Sequence, residues 1–238
     1  MIPALRAQAA RRPDANGRAA LALYRGESRG ARLHTLIRWL SCPFAPIERS
    51  LPEQGRILEI GCGHGLFLAY AALARPGRRM VGADIDADKI AHAQAALAPL
   101  GERARARVAP DGEVPDSDGP DGRWDAVVVV DVLYLLPEAG QRALLLAAAE
   151  RVAPGGRLVV KEMATAPGWK ARWNRLQETL SVRVLRITEG GDMTFVDPAV
   201  MAGWLRGDGW DVDVRRLDSG RLHPHALLIA CRDGAVAA

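Results

Sequence analysis

From Arg56 onward the chain alternates short apolar runs with helical segments, and this rhythm limits the fold more than any other feature. The strand-like runs are Arg56–Ile60, Met80–Asp84, a weaker Arg105–Val108, Asp125–Val130, Arg157–Lys161, Asp211–Arg216 and Ala226–Cys231. Helical patterns cover about His64–Arg75, Asp86–Leu100, Glu138–Val152 and Asp197–Arg206. Apolar strands separated by helices specify a sheet covered on both faces, so the expectation is an α/β, doubly wound, mostly parallel sheet of seven strands. A chain of 238 residues has room for one such domain with a full core. The acidic, Gly- and Pro-rich stretch from Pro110 to Gly122 reads as a surface loop, because strand-like sequence resumes at Trp124.

Ahead of the sheet, Leu33, Leu36, Ile37 and Leu40 recur at helical spacing, and Ser41-Cys42-Pro43 stops the helix they define. Residues 1–27, rich in Ala, Arg and Gly, carry little periodicity and read as a mobile or loosely docked extension. The expected organisation is an N-terminal extension and cap helix over 1–50 and one main domain over 51–238.

Composition narrows the class. Hydrophobic residues are 49% and charged residues 25%, with a mean hydropathy of -0.04, which excludes disorder and a membrane-embedded chain. No apolar run reaches the roughly 18 residues of a spanning helix. The first residues lack the apolar stretch of about 7 to 15 residues that a secretory signal needs, so a cytoplasmic location is expected. Cys42, Cys62 and Cys231 are too few and scattered for a disulfide framework, and no C-x-x-C suggests zinc. Net charge is +4 and the pI about 9.3. The arginines are interspersed with Asp and Glu in no block longer than two, which makes nucleic acid the lesser expectation.

The strongest local signal is Ile57-Leu58-Glu59-Ile60-Gly61-Cys62-Gly63-His64-Gly65-Leu66-Phe67-Leu68, an apolar strand that breaks into glycines and re-emerges as a helix. Glycines there let the backbone approach a ligand and leave helix N-terminal amides free to meet it. Counting from Gly61, the third glycine of a dinucleotide fingerprint would fall at Leu66, and no Gly-Lys-Ser/Thr of a P-loop follows. The next strand ends in Asp84, near the spacing of about 20 residues at which ribose-hydroxyl acceptors occur in doubly wound folds.

These residues resemble the class I S-adenosylmethionine-dependent methyltransferases, whose first motif is an acid followed by glycines at alternate positions, matched by Glu59, Gly61, Gly63 and Gly65. The resemblance continues through Asp84, Trp124–Asp131, and Ala153-Pro154-Gly155-Gly156 leading into the fifth strand, covering roughly residues 50–232. It implies a Rossmann-like sheet with an antiparallel last strand, S-adenosyl-L-methionine as cofactor and S-adenosyl-L-homocysteine as product. The implied cofactor residues are Glu59, Gly61, Cys62, Gly63, Asp84, Ile85, Asp111 and Asp131. Read singly, Glu59 could satisfy loop amides, and Asp84 and Asp131 could be helix caps.

Ligands of such sheets bind beyond the carboxyl ends of the strands. Three segments leave those ends. Val132 to Leu135 follows the fourth strand and offers Tyr134, without the Asn/Asp-Pro-Pro-aromatic tetrapeptide of amino-nitrogen methylation. A lid over 163–196 carries Trp169, Trp173, Leu176 and Leu180 on one helical face; these either pack on the domain or line an acceptor pocket with Trp39. Gly220 to His225 holds His223 and His225, either a base and an orienting group for a hydroxyl acceptor or ordinary turn residues. The expected catalytic set is therefore His223, His225 and Tyr134, with no metal. The expected activity is methyl transfer to a small, largely apolar metabolite at oxygen or carbon, without a membrane span. The alternatives are an RNA-modifying enzyme and a non-catalytic cofactor-binding partner protein.

Overall fold

The computed structural model describes residues 12–163, 193–217 and 225–232. The Trp169–Leu180 stripe of the expected lid and His223 lie outside the described residues.

Three helices come first: α1 (Ala15–Ala22), α2 (Arg29–Ser41) and α3 (Phe44–Arg49). The sheet domain follows as β1 (Gly55–Ile60), α4 (Leu66–Ala74), β2 (Arg78–Asp84), α5 (Ala87–Leu97), β3 (Ala104–Val108), β4 (Trp124–Val130), α6 (Glu138–Glu150), β5 (Val152–Met163), α7 (Pro198–Gly207), β6 (Asp211–Arg216) and β7 (His225–Cys231). The seven strands lie in the order β3-β2-β1-β4-β5-β7-β6, and β7 alone runs antiparallel to its neighbours. This is the expected Rossmann-like sheet.

Successive strand residues face opposite layers, as a period of two requires. Ile57, Ala126 and Val128 join the core that α4, α5 and the N-terminal helices cover, while Leu58, Val127 and Val129 join the core under α6 and α7. Glu59 shares the parity of Ile57.

Residues 15–22 correct the expectation of a loosely docked extension. Asp14 caps α1 by accepting from the Gly17 amide at 2.7 Å, and it also accepts from the Tyr70 hydroxyl at 3.1 Å. Gly17 lies so close to Trp39 that an added Cβ would sit 2.2 Å from its ring. Tyr24 donates to the His64 carbonyl at 2.6 Å. The underlying cause is α4, whose residues Leu66–Ala72 are all buried: a helix with no polar face needs cover on both sides. The sheet covers one side, and Trp39, Phe44 and Ile47 help to cover the other. Trp39 therefore belongs to this core and does not line an open pocket.

α3 was masked in sequence by Pro43 and Pro46, yet proline is tolerated in a first turn. Arg78 at the start of β2 fastens α3 to the sheet, donating to Glu48 at 2.8 Å and to the Pro52 carbonyl at 2.6 Å. The interspersed charges are nonetheless unequal between the two parts of the chain. Residues 1–50 hold nine basic and three acidic residues, a net of +6, so the remaining residues carry −2 of the total +4. No helix among the described residues is long and apolar enough to cross a membrane.

Candidate active site

The turn after β1 is shaped by hydrogen bonds to the end of β2. The amides of Gly61 and Cys62 both donate to the Ala83 carbonyl, at 2.7 and 3.2 Å, and the Gly65 amide donates back to Cys62 at 2.9 Å. Gly61, Gly63 and Gly65 all take positive φ, of 70°, 52° and 76°. At Gly61 a Cβ would meet Val132 at 2.3 Å, whereas nothing lies within 4 Å of one at Gly63. The turn is thus packed on one side and open on the other, leaving room for a ligand against bare backbone. Cys62 is buried with its thiol pushed far above the usual range, first by burial and then by Glu59 and Asp84, so its contribution is backbone and not a thiolate.

Two carboxylates flank the turn. Asp84 accepts from the Gly63 amide at 2.7 Å through one oxygen and from the Asp86 amide at 3.0 Å through the other. This clasp fixes the carboxylate beside the glycines. Ile85 follows with its side chain 67% exposed, an apolar surface at the same strand end. Asp111 lies in the exposed turn beyond β3, two residues after Ala109, whose amide donates to the Asp84 carbonyl at 2.8 Å. Glu59 is buried, and its Oε2 has no hydrogen-bond partner among the described residues. Burial, with Asp84 adding to it against Arg38 and the Leu68 amide, pushes the Glu59 carboxyl up to about 8.

At the end of β4 a third carboxylate is treated differently. Asp131 accepts from Arg38 at 2.5 Å and from Lys161, whose side chain is 1% exposed. Burial would raise Asp131, but the two cations outweigh it and bring its carboxyl down to about 2. Arg38 also donates to the Val130 carbonyl at 3.0 Å, which ties α2 to the carboxyl end of the sheet. Asp131 has φ 56°, the one positive-φ residue other than glycine among the described residues. The next two amides, of Val132 and Leu133, donate to Glu162 at 3.0 and 2.8 Å. Sequence reasoning missed Arg38, Lys161 and Glu162; for the last two the available signal was a pair of adjacent charges directly after the apolar Leu158-Val159-Val160 of β5, since buried charges are rarely left unpaired.

Comparisons with known proteins bear on the family and the fold. A family model described as a methyltransferase domain matches residues 31–213. The chain belongs to that methyltransferase family. No curated protein sequence matches it. Among solved structures, an O-methyltransferase family protein from Burkholderia thailandensis aligns with a TM-score of 0.64 at 20% identity, over 95% of this chain and 66% of that one. The pyocyanin biosynthetic protein aligns with a TM-score of 0.64 at 23% identity, over 88% of this chain and 60% of that one. Magnesium protoporphyrin IX methyltransferase from Synechocystis PCC 6803, with S-adenosylhomocysteine bound, aligns with a TM-score of 0.60 at 16% identity, over 92% and 95%. The chain thus spans less than two thirds of the first two of these structures.

S-adenosylmethionine is the cofactor of this family, and the residues of this chain fit it. A buried carboxylate oxygen without a partner suits the ligand's positive charge, the clasped Asp84 suits vicinal hydroxyls, and the open side of Gly63 leaves space for the chain between them.

Of the expected catalytic residues, Tyr134 and His225 are described, and both lie at the carboxyl end of the parallel strands. Tyr134 sits in the short 3-10 turn Leu133–Leu135, stacked on Phe195 at 5.6 Å between centroids and 18° between planes. Burial first and then Asp131 raise its hydroxyl, so at neutral pH it is a neutral phenol with a proton available for donation to a hydrogen bond. His225 is not in a turn but is the first residue of β7, buried and in register with Met163 at the end of β5. Sequence reasoning treated His64 as incidental. Its ring stacks between those of His34, at 4.5 Å, and His92, at 5.7 Å. Among the described residues no group of three or more His, Cys, Asp or Glu could hold a metal.

Proposed function

We propose that this methyltransferase transfers the methyl group of S-adenosylmethionine to oxygen or carbon of a small, largely apolar acceptor. The observation that carries the reading is the pairing, across one glycine turn, of the clasped Asp84 with the partnerless Glu59 oxygen. In this reading Glu59 meets the cationic methionine end, Gly61, Cys62 and Gly63 offer backbone, Asp84 holds the ribose, and Ile85 with the Asp111 turn borders the adenine. Asp131, with both oxygens committed to cations, acts as the anchor that holds α2 over the cofactor.

Bound there, the cofactor would supply an electrophilic methyl group on sulfur, with the sulfur as the leaving group. The chain's own part is to hold acceptor and methyl in line and to exclude water, which together can supply much of the acceleration. Tyr134 orients the acceptor, and His225 and His223 are assigned to the acceptor side, where a hydroxyl proton must leave.

Calorimetric titration of S-adenosylhomocysteine tests the cofactor half, with saturable binding expected. Mass spectrometry after incubation with labelled cofactor and a metabolite extract tests the rest, with one labelled small product expected. Binding without any labelled product would favour a partner protein that only holds the cofactor. The +6 charge of residues 1–50 favours RNA as a second acceptor class. Labelled RNA in place of a labelled metabolite, with salt-sensitive retention, would select it.

A further inference from the structure

The apolar residues that announce α2 in the sequence are not the ones that pack it. Ala31, Thr35 and Trp39 form its buried face. Leu33, Leu36, Ile37 and Leu40 point the other way and are 58%, 45%, 49% and 46% exposed. They stand at i, i+3, i+4 and i+7, one continuous stripe along a helix of 13 residues. Four of the eight exposed large hydrophobic residues among those described are gathered on this one helix. Packing against the sheet domain accounts for one apolar face and leaves the second unexplained.

Arginine borders the stripe. An open groove of about 590 Å³ between α1 and α2 has Leu21, Leu33 and Leu36 on its floor and Arg25, Arg29 and Arg32 around it. These three guanidinium groups are exposed and engage no acceptor among the described residues. Two other charges of the cover are committed, Arg38 to Asp131 and Glu27 to His92.

We propose that the outer face of α2 docks the protein on an anionic lipid surface, with the helix lying in the interface plane. Leu33, Leu36, Ile37 and Leu40 enter the acyl boundary, and Arg25, Arg29 and Arg32 meet headgroup phosphates. Charge complementarity selects this occupant over a second copy of the chain. Around a two-fold axis the same arginines would face each other, and four side chains offer far less than the roughly 800 Å² per partner of a stable interface. The inference does not depend on methyl transfer.

Co-sedimentation of the full chain with vesicles is the test, comparing phosphatidylcholine alone with phosphatidylcholine containing about one third phosphatidylglycerol. Binding to the anionic vesicles is expected to be at least about tenfold stronger and to weaken with salt. Arg29→Gln with Arg32→Gln should lower partitioning about thirtyfold. Leu36→Ser with Ile37→Ser should abolish it; both side chains face solvent, so the melting temperature and far-ultraviolet circular dichroism should stay those of the wild type. Equal binding to both vesicle types, no binding to either, or undiminished binding by the Leu36/Ile37 variant would overturn the proposal. A dimer in light scattering that the Leu36/Ile37 variant dissolves would also overturn it, in favour of a second copy.

Discussion

Two neighbouring strand ends each carry a buried carboxylate, and the protein satisfies only one of them. At the end of β4, Asp131 lies between Arg38 and Lys161 and is held ionised, its carboxyl brought down to about 2. Near the end of β1, Glu59 keeps one oxygen without a partner and is pushed up to about 8. Burial acts in the same direction on both, so the difference lies in what surrounds them. A carboxylate neutralised from within is structural; one left short of a cation has a site that a cationic ligand completes.

The largest expected effect separates the two by stability. Lys161→Met leaves Asp131 buried beside a single, partly exposed cation and should cost about 3 kcal/mol or more, read from urea unfolding at pH 7. Glu59→Gln should cost no stability at that pH and should gain some at higher pH. The folded carboxyl holds its proton up to about 8 while the unfolded chain releases it near 4.5, so the wild type loses stability as pH rises between those values and the amide does not. A Glu59→Gln variant that unfolds as readily as Lys161→Met would erase the distinction.

Ligand binding sharpens it. Asp84→Ala removes the acceptor for the Gly63 and Asp86 amides together with the proposed ribose contact, and should weaken S-adenosylhomocysteine about a hundredfold by calorimetry. Unchanged affinity would remove Asp84 from the site. Glu59→Gln should cost about tenfold at pH 8, the weight of one hydrogen bond to a charged group. In the wild type, binding a cation to Glu59 releases its proton, so affinity should rise with pH from 6 to about 8 and then level. The variant should show a flatter profile. Identical profiles would place the cofactor's charge elsewhere.

The smallest effect concerns the histidine stack over the same turn. Burial, and the nearby charges of His34, His92 and Lys89 against Asp86, bring His64 down to about 4. The unfolded chain binds that proton near 6.5, so stability should fall as pH drops from 6.5 toward 4, shifting the melting temperature by a few degrees. His64→Gln should make that decline shallower. An unaltered slope would remove His64 as its source.

Much of the sheet was legible because its information is local. Alternation of apolar strands and helices, the glycines after Ile60, and an acid at Asp84 each act over a few residues. The N-terminal helices were harder to read. α1 has almost no periodicity of its own and exists because Asp14, Gly17 and Tyr24 find partners in Tyr70, Trp39 and His64, as many as 56 residues away in sequence. The clue lay elsewhere in the chain, in the wholly apolar Leu66–Ala72, which no one-sided packing could bury.

By itself, then, the sequence determined the α/β class and, through its family resemblance, a mostly parallel sheet with an antiparallel last strand, and it singled out Glu59, Gly61, Gly63 and Asp84, because steric and periodic rules operate on neighbours. Only the tertiary structure decided that Asp131 is paired with two cations while one Glu59 oxygen meets no partner among the described residues, and that α2 turns its leucines outward. Desolvation and ion pairing depend on what surrounds a group in space, and Arg38, which helps set the state of both carboxylates, reaches them from a helix far back along the chain.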